Sequence, residues 1–248
     1  MLVLRLGKAC TYVAFLAHAV TGSPIAGMLM PVKSASPYAP VADLSELAKQ
    51  MPQSALPVPS GQLKYVVLGL GTQNYTCISG NESDVPGTVG AVATLYDIGS
   101  TLNDDVLAKW KIPIISSLAL SLSTQPKVLQ ESLRLQGYNH IVGHHFFSTL
   151  GTPIFALDKL AHLPHPIAQV MKMDGVDPPK HANPGLMGEG AVQLLYLTDT
   201  QHKSQGGIDT VYRLETAGGK APATCKGQDT YFAVQYAAQY WIFGPRSD

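Results

Sequence analysis

The chain has 248 residues, with 17 basic and 17 acidic side chains, 46% hydrophobic residues and 14% charged ones. Such neutrality, with no cluster of Lys or Arg, argues against partners as charged as nucleic acid or an anionic membrane. The apolar share is ample for a packed core, and the length suits one large domain.

In chain order, the first segment reads as a secretory leader. Arg5 and Lys8 precede an uncharged, mostly apolar run over residues 10–20. Ala17-His18-Ala19 then fits the small-x-small cleavage pattern, with Val20-Thr21-Gly22 as a second option. The run is shorter than the roughly 20 apolar residues that cross a bilayer, and Pro24 stops a helix from continuing. Residues 1–22 are therefore expected to be a signal peptide, and the mature protein extracellular or cell-wall associated, with no membrane span. Without Arg5 and Lys8, 15 basic side chains face 17 acidic ones.

Residues 23–60 form a Pro/Ser/Ala-rich lead-in. A short helix is predicted over 41–51, with Leu44, Leu47 and Met51 on one stripe and Pro52 ending it. From residue 63 the pattern turns to strand: LKYVVLGLG and TQNYTC, the first expected to be buried on both faces, then residues 88–97 after a Pro86-Gly87 turn. The stretch 103–136 is the exception. It holds the apolar run IPIISSLALSL and a short helix with Pro126 early and Gly137 at its C′ position. GYNHIVGHHFF and TPIFAL return to strand, and the Pro- and Gly-rich residues 158–190 read as a long surface excursion. AVQLLYLT, IDTVYRLET and TYFAVQYAAQYWIF close the chain as strands. In the last, Phe232, Val234, Tyr236, Ala238, Tyr240 and Ile242 share one face, opposite Gln235 and Gln239. In IDTVYRLET, Asp209, Arg213 and Glu215 share the face expected to be exposed. The prediction is a mainly β fold over residues 61–248, a single β-sandwich or squat barrel with a few short helices and long loops.

Cys10 leaves with the leader, so Cys77 and Cys225 remain. In an oxidising compartment the economical pairing is one long-range disulfide, closing a loop worth up to ~5 kcal/mol; the alternative is two buried free thiols. Asn74 and Asn81 head two glycosylation sequons, Asn81 in a turn and Asn74 in a strand-like run. Gly69 and Gly71 resemble the start of a dinucleotide-binding turn. The third glycine position is Asn74, no helix follows, and Asp97 sits at the end of a strand, so close backbone approach between strands explains them better. His140, His144 and His145 are the metal candidates. His140 and His144 fall on one strand face, and a third ligand would come from Asp158, His162, His165 or His181. Glu189 and Glu215 could pair for glycoside hydrolysis only if the fold brought them together. No cofactor is predicted.

The segments GTQNYTC at 71–77, GAVATLYD at 90–97, GHHFF at 143–147, GTPIF at 151–155, YRLETAGGKAP at 212–222 and YAAQYW at 236–241 occur in order. Over residues 56–243 the chain thereby resembles the secreted domain-of-unknown-function family 3455 of filamentous fungi. Some of its members carry the label malate dehydrogenase, which the broken dinucleotide fingerprint and the leader argue against here. The resemblance implies no reaction, cofactor or catalytic residue. The expected role is a cell-wall or extracellular-matrix binding protein, its partner a wall polysaccharide or an extracellular host component. The alternative is a secreted hydrolase or metal-assisted enzyme built on His140, His144 and His145.

Overall fold

The computed structural model describes residues 38–246; the leader segment and the lead-in up to residue 37 lie outside them. Four helices, α1 (Ser45–Ala48), α2 (Gly99–Asn103), α3 (Ala108–Leu122) and α4 (Pro126–Leu135), accompany nine antiparallel strands. The strands are β1 (Gln62–Thr76), β2 (Gly87–Asp97), β3 (Ile141–Phe147), β4 (Pro153–Ala156), β5 (Ile167–Gln169), β6 (Met171–Val176), β7 (Leu194–Thr198), β8 (Thr210–Gly218) and β9 (Tyr231–Gly244). None of the described helices is long and apolar enough to cross a membrane.

All nine strands belong to one sheet, ordered β5-β4-β3-β2-β1-β9-β8-β7-β6. The first strand pairs with the last, and the two edges, β5 and β6, are separated in sequence only by Val170. Ile167 on β5 makes a further antiparallel bridge to Gln205 between β7 and β8. The sheet thus rolls into a nearly closed barrel, an arrangement that removes the unpaired edges a flat sheet would expose. Of the two architectures expected, the barrel forms.

Two segments differ from the sequence reading, and a third gains an assignment that the reading left open. LKYVVLGLG and TQNYTC are one 15-residue strand, β1. The excursion at 158–190 contains β5 and β6, the strands at the seam; the residues of β6 from Met171 to Asp174 are exposed and carry no apolar alternation. The run IPIISSLALSL is helix, because Ile112, Ile115, Ala119 and Leu120 recur at helical spacing and are all buried.

Strand alternation sends side chains to two cores. Val67, Leu95, Phe155, Tyr236, Tyr240 and Ile242 fill the barrel interior. Val66, Leu68, Leu214, Trp241 and Phe243 face outward and are covered by α1, α2 and α3. The double coverage explains why β1 is apolar on both faces. The described part of the lead-in belongs to this packing: Leu44, Leu47 and Leu56 are buried in the outer core. At α4, Pro126 occupies the first turn and Gly137 takes φ +75°, while Tyr138 N–H returns to the Leu133 carbonyl at 2.8 Å.

Candidate functional site

The barrel's ends are unlike. At the end where β1 begins and β9 finishes, Tyr38 packs against the interior core. Tyr38 donates to the Asp97 carboxylate and stacks on the His140 ring with centroids 3.8 Å apart. Asp97, 3% exposed, also accepts the Gly99 N–H at 2.9 Å. Asp97 is thus committed to the start of α2.

At the other end, where β1 finishes and β9 begins, the interior opens into a cavity of about 720 Å³. Its floor comes from β1 and β8, where Gln73, Tyr75 and Arg213 line it. Arg213 was expected to face solvent. Instead it shares the inward face with Val211, because it pairs directly with Tyr240 of β9 and Leu195 of β7. Its Nε donates to the Gln193 carbonyl at 3.0 Å, and its positive charge lies near the buried Tyr240 hydroxyl. The Tyr240 and Tyr236 hydroxyls meet at 2.8 Å, and the Tyr75 hydroxyl donates to the Gly219 carbonyl at 2.6 Å. Burial pushes all three phenols above their ordinary range, so they remain protonated donors.

The rim adds Lys172, Lys180 and Lys220, opposed by a single lining carboxylate, Asp177. Gln193 organises this rim: its side chain accepts from Lys172 Nζ at 3.0 Å and donates to Asp177 at 3.1 Å. Among the described residues, none of these four cations makes a salt bridge. Gln73 is 5% exposed, yet its Nε2 has no hydrogen-bond partner there. The cavity is therefore a cationic funnel with a buried amide donor left over.

The disulfide between Cys77 and Cys225, with Cα atoms 5.7 Å apart, ties the end of β1 to the β8–β9 loop at this same end. Asn81 is exposed in the neighbouring turn, its side chain donating to Asp84 at 2.7 Å. Asn74 is half-buried on β1 and accepts from the Thr72 hydroxyl at 3.0 Å.

The three histidines are not brought together. β3 carries a bulge: Leu95 pairs with Gly143 but Tyr96 pairs with Ile141, so alternation resets between His140 and His144. His140 lies ahead of the strand, stacked on Tyr38. His144 is outside, its Nδ1 3.5 Å from Asp158. His145 points inward, stacked on Phe155 at 4.1 Å, its Nδ1 2.8 Å from the Ile154 carbonyl. Burial lowers its pKa to about 4, so it is a neutral core residue with Nδ1 as the donor. Among the described residues no three His, Cys, Asp or Glu side chains gather where they could share a metal ion.

Glu189 and Glu215 do not pair either. Glu215 lies at a β8 bulge with φ +46°, in a separate hollow against α3 with His181; burial raises its pKa and His181 draws it back down. Glu189 is exposed and borders a third hollow beside β9. Gly69 and Gly71 sit mid-strand, and a Cβ at Gly69 would come within 2.4 Å of the Tyr240 ring, which confirms close packing and leaves no phosphate-binding turn.

A family model described as protein of unknown function (DUF3455) matches residues 57–244. No curated protein and no solved structure matches the chain.

Proposed function

The chain belongs to the DUF3455 family, whose function is unknown, and from that premise we propose that it is an extracellular binding protein that holds a ligand in the barrel mouth. The ligand would be a small molecule or a chain end from a cell-wall polysaccharide or a host component. The observation that carries this reading is the cavity itself. It opens from one end of a barrel whose interior is otherwise packed, and its size matches ordinary ligand sites of about 300–1,000 Å³. Its lining favours holding over transforming. Gln73, Tyr75, Arg213 and three lysines all present hydrogen-bond donors to a bound molecule.

A thermal-shift panel of neutral sugars, acidic sugars, organic acids and phosphates tests this on the mature protein. At least one class is expected to raise Tm saturably, since a ligand at about 100 times its Kd stabilises by ~2.7 kcal/mol. Thr88→Trp places a ring in the mouth from an exposed lining position and is expected to abolish the shift. No shift from any class, or a shift that survives Thr88→Trp, overturns the proposal.

A further inference from the structure

Resting on the binding reading above, we infer that the ligand carries an oxyanion, a carboxylate or phosphate, seated between Arg213 and Gln73 at the bottom of the mouth. The chain as a whole is balanced in charge, so four cations around one cavity do not follow from composition. A cleft lined by one sign of charge focuses its field on the opposite sign. The local carboxylate, Asp177, is already bonded by Gln193 and forms no ion pair with the cations.

Arg213 supplies the second element of the site. A guanidinium offers five N–H donors in a fixed fork. Here the Gln193 carbonyl holds its Nε at 3.0 Å beside Tyr240, its cross-strand partner on β9, which leaves the terminal N–H groups of the fork for a ligand. Pre-held Arg of this kind recognises carboxylate and phosphate bidentately. Gln73 supplies the third element. A buried amide N–H without an acceptor keeps an uncompensated desolvation cost, and an oxyanion oxygen at the cavity floor would relieve it. A neutral sugar hydroxyl could meet Gln73 but would leave four cations uncompensated. Lys172, Lys180 and Lys220 around the rim then serve capture more than selection, because exposed charges act mainly through long-range attraction that salt weakens.

The test is titration calorimetry of the mature protein with three probes: a uronic-acid trisaccharide, inorganic phosphate and the neutral trisaccharide maltotriose. Binding is expected for one or both anionic probes at one per chain, weakening as salt rises from 50 to 500 mM. Which anion binds separates an acidic polysaccharide end from a phosphorylated small molecule. Arg213→Gln and Gln73→Leu should each weaken it at least tenfold, whereas Lys127→Gln on the exposed face of α4 should not. If Arg213→Gln fails to fold, the exposed pair Lys172→Gln/Lys220→Gln carries the test, with a loss of about threefold or more expected. Maltotriose binding as tightly as the anions, with no effect of these variants, overturns the oxyanion assignment and leaves the binding reading standing. No binding by any probe, together with a negative thermal-shift panel, overturns both.

Discussion

Polar groups inside the barrel survive there because each has a stated partner, and the exceptions are informative. Tyr236 and Tyr240 bond one another, Arg213 bonds the Gln193 carbonyl, and Tyr75 bonds the Gly219 carbonyl; Gln73 alone on this floor keeps a spare donor. His145 is buried deeper, with its proton on the Ile154 carbonyl, and its pKa near 4 makes it a reporter of the fold. The sign follows from proton uptake. Unfolded, the imidazole titrates near 6.5; folded, it refuses the proton until about pH 4. Its contribution is therefore complete above pH 6.5 and is lost as pH falls from there towards 4, by up to about 3 kcal/mol. Glu215 works the other way: its raised carboxyl favours the fold at low pH and loses that advantage as pH rises through its folded value. The comparison is accordingly between wild type and His145→Gln. The urea midpoint of the variant is expected to fall less steeply between pH 6.5 and 4. Equal slopes would mean that His145 takes up its proton within the folded state.

Among the elements, α3 shows how much a single buried side chain can fix. Gln239 is fully buried between β9 and the helix, donating to the Ile112 carbonyl at 2.6 Å and accepting from the Trp241 indole at 3.4 Å. By alternation it shares a face with Gln235, which lies exposed and accepts from Ser123. Gln239→Leu preserves volume but strips both bonds, so a loss of about 1–3 kcal/mol is expected from chemical denaturation. Gln235→Leu should stay within about 0.5 kcal/mol. Equal effects would mean that Gln239 does not dock α3. The pair also marks how far the sequence can be read. Period-two alternation identifies β2, β7, β8 and β9 close to their observed limits, because alternation is a property of the strand alone. Which face meets solvent depends on what packs against it. In a barrel with helices outside, the polar face of β9 goes under α3. Arg213 goes inward, where a charge on a strand would ordinarily be assigned to water. Neither β5 nor β6 has enough alternation to be seen, and the histidines separate because a bulge shifts the register without any sign in residue type.

At the scale of the whole molecule, the barrel must close through long-range contacts: β1 is bonded along its length to β9, at the opposite end of the folded chain. Pairings this remote carry a large loop-closure cost that must be met before they stabilise anything. The Cys77–Cys225 disulfide acts on that cost. It joins residues 148 apart in sequence and fastens the β8–β9 loop to the end of β1. Cross-linking so long a loop removes unfolded-state entropy worth up to ~5 kcal/mol in the chain-entropy model. The folded barrel has other ties at this end, since Cys77 N–H bonds the Thr230 carbonyl and Cys225 N–H bonds the Asp84 carbonyl. Replacing both cysteines with serine is therefore expected to lower the urea midpoint strongly while leaving the native circular dichroism and the mouth intact at low denaturant. Refolding should slow more than unfolding accelerates if the β1–β9 pairing forms early in the transition state, because the cross-link then aids the step that brings the chain's two ends together. A serine pair that unfolds much faster but refolds at the wild-type rate would instead place β1–β9 closure after the barrier, with the disulfide acting only as a late lock on a barrel nucleated elsewhere.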